Sequence, residues 1–392
     1  MVSTVRIRLG AFMPALVASL LLLLSACYEA ESDDVAFDDE TCGVNIEKQR
    51  EKLGVPGLSV AVVKDGRTAC TAVAGMANIE ENRPVRPETL FVWASVSKTV
   101  TAAAVMALVD DGALDLDHDI NEYLSFAVRN PRCPNEPITT RQLLSHTSSI
   151  REDEYEGVYA DHYVQGDSPV DLGTFLKDYL TPSGKFYSKK NFKKKCPGKA
   201  YDYSNIGAGL LGHLVEAIAG MPFERFTEER LFQPLGMTTA AWRLADLNLD
   251  TVAMPYKGKP SSGFKPAGHI GFPTYPDGLL RASPSELARF LTMFIQFGEL
   301  DGMQVMSHQS VMAMRAEQFP EVVEGQGLIW YYESIGSRHG LLGHTGTDPG
   351  TSSMMYFDPE DGAGVLLVAN GEWNWDRAET LAKKLFKQLR TS

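Results

Sequence analysis

Ser95 and Lys98 stand three residues apart at the head of "SVSKTVTAAAVMALVDDG". A serine hydroxyl is a poor nucleophile near neutral pH and needs a base within hydrogen-bond reach. Lysine supplies one only if its ammonium, ordinarily protonated up to ~10.4, is perturbed. The plain alternative is a capping serine with a lysine in the first turn. The run of Ala, Val, Met and Leu predicts a helix over 96–111, stopped by Gly112. A separation of three places both side chains on one helix face, ~4.5 Å apart along the axis. The helix N-terminus adds partial positive charge near Ser95. A second copy, Ser262 to Lys265, lies among Gly258, Pro260, Gly263 and Pro266, where no helix can hold it.

Two other stretches carry groups that complete such chemistry. In "PGKAYDYSNIGAGL", Tyr203 precedes the start of a helix; a phenol beside an ammonium can share or lose its proton. Asn205 in the same stretch offers an amide donor and acceptor for a substrate carboxamide. In "GLLGHTGTDPG", His344-Thr345-Gly346 reads as the end of an edge strand. The small Gly346 lets a substrate backbone lie alongside, and the N–H groups of Thr347 and Ser95 can together hold an oxyanion. Alone, His344 reads as a strand-end residue in a turn.

The elements that must position these residues follow from periodicity and turn chemistry. Helices are expected at 43–54, 96–111, 139–145, 171–180, 205–220, 222–233, 284–297 and 374–390. "GLSVAVVKDGRTACTAVAG" reads as a hairpin turning at Asp65-Gly66. Strands return from 326 in "GLIWYYES", "SRHGLLGHTG", "SSMMYFDP" and "GVLLVANG". Strands at both ends around a helical middle predict an α+β fold. One antiparallel sheet is built from both termini with flanking helices, and a mostly helical subdomain is inserted at roughly 100–300. "DLDHDIN" imitates a calcium loop, but Ile120 occupies the glycine position and Phe126 the acidic one. No metal or cofactor motif is present. Tyr155, Tyr159 and Tyr163 are candidates to rim a pocket. The lysine-rich 184–199 stretch reads as a solvated loop or as a contact for anionic polymer or lipid headgroups.

The N-terminus has Arg6 and Arg8, an apolar run from Ala11 to Leu24, and then Leu24-Ser25-Ala26-Cys27. That is the pattern of a lipoprotein signal over 1–26 with lipidation of Cys27; the run is short for a span. Residues 27–41 read as an acidic tether, and 42–392 as the folded domain. This predicts an exported protein, membrane-anchored on the periplasmic or outer-surface side of a bacterial envelope. The 392-residue chain carries a net charge of −13, which argues against nucleic acid as a partner. Cys42, Cys70, Cys133 and Cys196 permit two bridges with three connectivities. The favoured set is Cys42–Cys70, tying the opening helix to an early strand, and Cys133–Cys196, clipping a long excursion.

Ser-x-x-Lys, Tyr-x-Asn and His-Thr-Gly, in that order, resemble the serine β-lactamase-like superfamily. The matching branch holds class C β-lactamases, D-alanyl-D-alanine carboxypeptidases, D-aminopeptidases and esterases. "VPGLSVAVVKDG", "ITTRQLLSHTSSI" and "LFQPLGMT" also look like its landmarks. The resemblance implies an acylated Ser95, Lys98 as its partner, Tyr203 as general base and Asn205 as substrate ligand. His344 stands where β-lactamases of the branch usually have lysine, and several peptidases and esterases have histidine. Ser149 stands where the branch usually has glycine. The expected activity is hydrolysis of D-residue peptides, small amides or esters. β-Lactam hydrolysis is the first alternative, and an acyl-binding or sensing module without turnover the second. No Gly-x-Ser-x-Gly elbow exists, which excludes an α/β-hydrolase.

Overall fold

The computed structural model describes residues 42–151, 157–158 and 160–389. The leader, Cys27, the acidic tether, Tyr155 and Tyr159 lie outside the described residues.

The Asp65-Gly66 turn is as expected: both residues take left-handed φ, 51° and 72°, the twist a two-residue hairpin needs. It joins β1 (Gly57–Lys64) to β2 (Arg67–Asn78), with β3 (Arg83–Pro84) beyond. From the far end of the chain come β4 (Tyr331–Ile335), β5 (Arg338–Asp348), β6 (Thr351–Phe357) and β7 (Gly364–Ala369). The seven form one sheet in the order β4-β5-β6-β7-β1-β2-β3. The two halves meet where β1 pairs antiparallel with β7, Leu58 opposite Ala369.

Strand alternation then decides both faces. Leu58, Val60, Val62, Val365 and Leu367 pack under α1 (Ile46–Leu53) and α5 (Trp375–Gln388). Ala61, Val63, Leu366 and Val368 point the other way, under α4 (Pro284–Ile295) and into the main core. That core runs on through α2 (Ser97–Asp110) and α3 (Asn205–Ala219), which pack together. Every α2 residue from Ser97 to Leu108 is buried. Its small Ala and Val side chains suit a helix surrounded on all sides.

Most expected helices are present with ends shifted by a few residues. The segment 222–233 is broken: Phe223–Thr227 gives way to a π-turn at Glu228–Phe232, then Gln233–Leu235. His308–Arg315 is a helix the sequence reading missed. The strand expected from "GLIW" starts only at Tyr331, because Ile329 is left-handed (φ 68°) and Trp330 turns inward to stack on Phe294 at 4.0 Å. Both favoured disulfides form, with Cα–Cα distances of 5.5 and 5.7 Å. Closing their loops of 28 and 63 residues is worth about 3.5–4.5 kcal/mol each in chain entropy.

Candidate active site

Ser95 sits in a single 3₁₀ turn, Ala94–Val96, that leads into α2 rather than in the helix itself. The preceding residue is strained: Ala94 has φ 45°, a cost of about 1–3 kcal/mol for a residue with a Cβ. Neighbouring bonds hold it there. Trp93 N–H donates to the Leu280 carbonyl at 2.9 Å, and the Trp93 carbonyl accepts from Ser353 Oγ at 2.6 Å. The Trp93 indole donates to the Ala282 carbonyl at 3.0 Å.

Lys98 lies one turn on and is fully buried. Its Nζ donates to Ser95 Oγ at 2.9 Å and to the Asp277 carbonyl at 2.6 Å, with Asp277 Oδ1 at 3.8 Å. Burial alone would drag the ammonium's pKa down. Tyr203 and the Asp277 carboxylate beside it outweigh burial and hold it above its ordinary value. Asp277 is a partner the sequence did not betray, since Pro276-Asp277-Gly278 reads only as a turn.

The Tyr203 hydroxyl is buried with no hydrogen bond of ordinary geometry, and Lys98 Nζ lies 5.1 Å from the ring centre. Burial pushes this phenol's pKa up; Lys98, and then Ser95, pull it back without cancelling the rise. The resting pair near neutral pH is therefore an ammonium and a phenol. Tyr203 is positioned from two sides by His146, also missed by the sequence reading. His146 accepts the Asp202 N–H on its carbonyl at 2.8 Å and the Ser204 N–H on Nδ1 at 3.3 Å. Its ring packs on Tyr203 at 4.3 Å. The only sequence signal was the "SHTSSI" stretch, where both His146 and Ser149 take left-handed φ, 55° and 68°. The unusual Ser149 is held by Asn130, whose Nδ2 donates to its Oγ at 3.0 Å.

His344 does not end an edge strand. It lies inside β5, whose pairing with β4 begins at Gly343, opposite Tyr331. Beyond that pair, residues 344–348 have β6 on one side only. Gly346 is required there: a Cβ would come within 2.8 Å of Ser95 N and 2.7 Å of the Trp93 carbonyl. The space the missing side chain leaves is taken by the backbone carrying Ser95. His344 Nδ1 lies 2.5 Å from the Thr345 carbonyl. Burial first, then the Lys98 charge, lower the His344 pKa to about 3, and the same causes put His146 well below its ordinary value.

Ser95, His146, Tyr203, His344, Gly346 and Thr347 line one cavity of about 380 Å³. Asn205, the first residue of α3, is not among the lining residues. A larger groove of about 810 Å³ lies beside Asp110 and Ser307 at the far end of α2, and no nucleophile–amine pair lines it. Tyr163 donates to Asp348 Oδ1 at 3.3 Å behind the site instead of rimming it as a free phenol. In the lysine-rich stretch, Lys193 pairs with Asp202 at 3.1 Å, while Lys189, Lys190, Lys194 and Lys195 are exposed. No metal-binding cluster occurs among the described residues.

The chain is 22% identical over 327 residues to "Protein flp" of Staphylococcus aureus (strain MRSA252), covering 83% of this chain and 61% of that protein. It thus spans less than two thirds of that relative's length. Penicillin-binding protein 4 of Amycolatopsis lactamdurans is 28% identical, with 86% of each chain covered. Among solved structures, a D-amino acid amidase from Ochrobactrum anthropi SV3 shares the fold. It superimposes with a TM-score of 0.68 at 22% identity, over 88% of this chain and 96% of that one. The Beta-lactamase family model matches residues 44–387, nearly all that the structure describes. With a serine and a phenol lining one cavity and an amine bonded to that serine as well, the chain belongs to the Beta-lactamase family.

Proposed function

We propose that this protein hydrolyses amides or esters, D-residue peptides among them, through an acyl-enzyme on Ser95. The observation that carries the reading is the 2.9 Å contact of Lys98 Nζ with Ser95 Oγ beside the buried Tyr203 hydroxyl. Lys98 and Tyr203 hold one proton more than the reaction needs. Once that proton leaves, the pair accepts the Ser95 hydroxyl proton as Oγ bonds to the substrate carbonyl carbon. The N–H groups of Ser95 and Thr347 hold the oxyanion, and the pair returns its proton to the departing amine or alcohol. Water then cleaves the ester on Ser95 and releases the acid. The relative described as a D-amino acid amidase makes D-amino acid amides the first substrates to try.

The leader sequence supports export and lipid attachment at Cys27, with the acidic stretch up to residue 41 as tether. Cys27→Ser is expected to release the protein from the membrane fraction and to abolish incorporation of a labelled fatty acid.

The deciding experiment is reaction of the full chain with a fluorophosphonate probe, followed by peptide mass mapping. Label on the peptide holding Ser95, lost in Ser95→Ala, supports the reading. Turnover of an ester by Ser95→Ala at the wild-type rate ends it.

A further inference from the structure

The cavity contains two buried imidazoles whose tautomers are fixed by backbone groups in opposite senses. His146 Nδ1 accepts the Ser204 N–H, so it has no hydrogen and Nε2 carries the proton. His344 Nδ1 lies against the Thr345 carbonyl, which offers only lone pairs, so Nδ1 carries the hydrogen and Nε2 is a bare acceptor. Both Nε2 atoms are buried and have no partner, and both rings line the cavity. They flank Tyr203, with ring centres 4.3 and 6.1 Å from it. Among the described residues, no Lys, Arg, Asp or Glu lines this cavity.

We propose that His146 and His344 are a neutral donor–acceptor pair that selects substrates carrying an uncharged carboxamide near the scissile carbonyl. A carboxamide oxygen accepts from His146 Nε2–H, and its N–H donates to His344 Nε2. An ester can satisfy only the first. A free carboxylate can donate nothing to His344, and the one cation near it, Lys98 behind Ser95, is already bonded to Ser95 Oγ and the Asp277 carbonyl. This inference rests on Ser95 being the acylated residue, and it names the substrate class of that same site.

The test uses p-nitrophenyl esters of one acyl chain ending in a carboxamide, a methyl ester or a carboxylate, each given to the full-length protein. The expected order of kcat/KM is carboxamide, methyl ester, carboxylate, with about tenfold or more between first and last. His344→Lys should reverse that order by supplying a cation. His146→Gln, whose amide N–H reaches about as far as Nε2, should keep the carboxamide preference, whereas His146→Leu should lose it. Equal or better turnover of the carboxylate by the wild type overturns the proposal. If the fluorophosphonate leaves Ser95 unlabelled, the acyl-enzyme reading fails separately. The pair is then judged by imidazole ¹⁵N spectra at pH 7. Neutral rings, with hydrogen on Nε2 of His146 and Nδ1 of His344, sustain it; an imidazolium at either position overturns it.

Discussion

The chain contains Ser-x-x-Lys twice, and the two copies end in opposite environments. Ser95 and Lys98 turn inward: the lysine is fully buried, and its amine is shared between Ser95 Oγ and the Asp277 carbonyl. Ser262 and Lys265 lie on an exposed hairpin, Tyr256–Lys259 with Gly263–Pro266, and Ser262 Oγ merely closes the turn onto Lys259 at 3.3 Å. The same four-residue pattern is chemistry in one place and turn closure in the other. What differs is supplied from far along the chain. Asp277, Tyr203, Ser353 and Gly346 all press on the first copy, and no such groups surround the second. Reactivity therefore belongs to the enclosure, and the local motif only offers it a place to form.

That contrast can be broken most sharply at Ser95. Ser95→Ala should lower ester or amide turnover by at least about 10³-fold in a steady-state assay, since nothing else in the cavity replaces a bonded hydroxyl. Tyr203→Phe should cost about 10²–10⁴-fold in kcat while the folded state persists by circular dichroism, because it removes only the proton acceptor.

Asp277→Asn tests the electrostatics instead. The carboxylate helps to hold the Lys98 pKa up, so neutralising it lets the pair's extra proton leave more easily. The acidic limb of the kcat/KM profile should move to lower pH, by on the order of one unit.

Asp348 asks whether the enclosure is costly. Burial, and then the Asp277 charge, push its carboxyl pKa up to about 7. A carboxyl raised above its unfolded value favours the fold fully below about pH 4, and that contribution is lost as the pH climbs to about 7. An asparagine side chain in its place does not titrate. Asp348→Asn should therefore gain a few degrees of Tm over wild type between pH 4 and pH 8 by scanning calorimetry. At the other end, the double change Ser262→Ala with Lys265→Ala should leave kcat/KM within about twofold of wild type and stability within ~0.5 kcal/mol.

The sequence revealed what local pattern controls. The Asp65-Gly66 turn and the helix α2 were legible from turn residues and periodicity, and the cysteine count gave two bridges, of which the favoured pairing, Cys42–Cys70 and Cys133–Cys196, forms. Ser95, Lys98, Tyr203 and His344 could be singled out by type and spacing, and the structure brings Ser95, Tyr203 and His344 to one cavity with Lys98 bonded to Ser95. Asp277 and His146 could not be. Each looks like an ordinary turn residue until a contact more than 50 residues away gives it a partner: Lys98 for Asp277, and Ser204 for His146. The misplaced start of β4 has a similar cause, because Trp330 is claimed by Phe294 in a way no alternation rule anticipates.

The pairing of β1 with β7 imposes an order on how this molecule comes into being. Leu58 meets Ala369 only after about 300 more residues exist, which at usual synthesis speeds is roughly 15–60 s of waiting. Until then, one side of an apolar strand has no neighbour and invites wrong ones. An unfinished chain would depend on helpers or on keeping unfolded, and its nucleophile would stay harmless, because the strand bearing Gly346 arrives almost last.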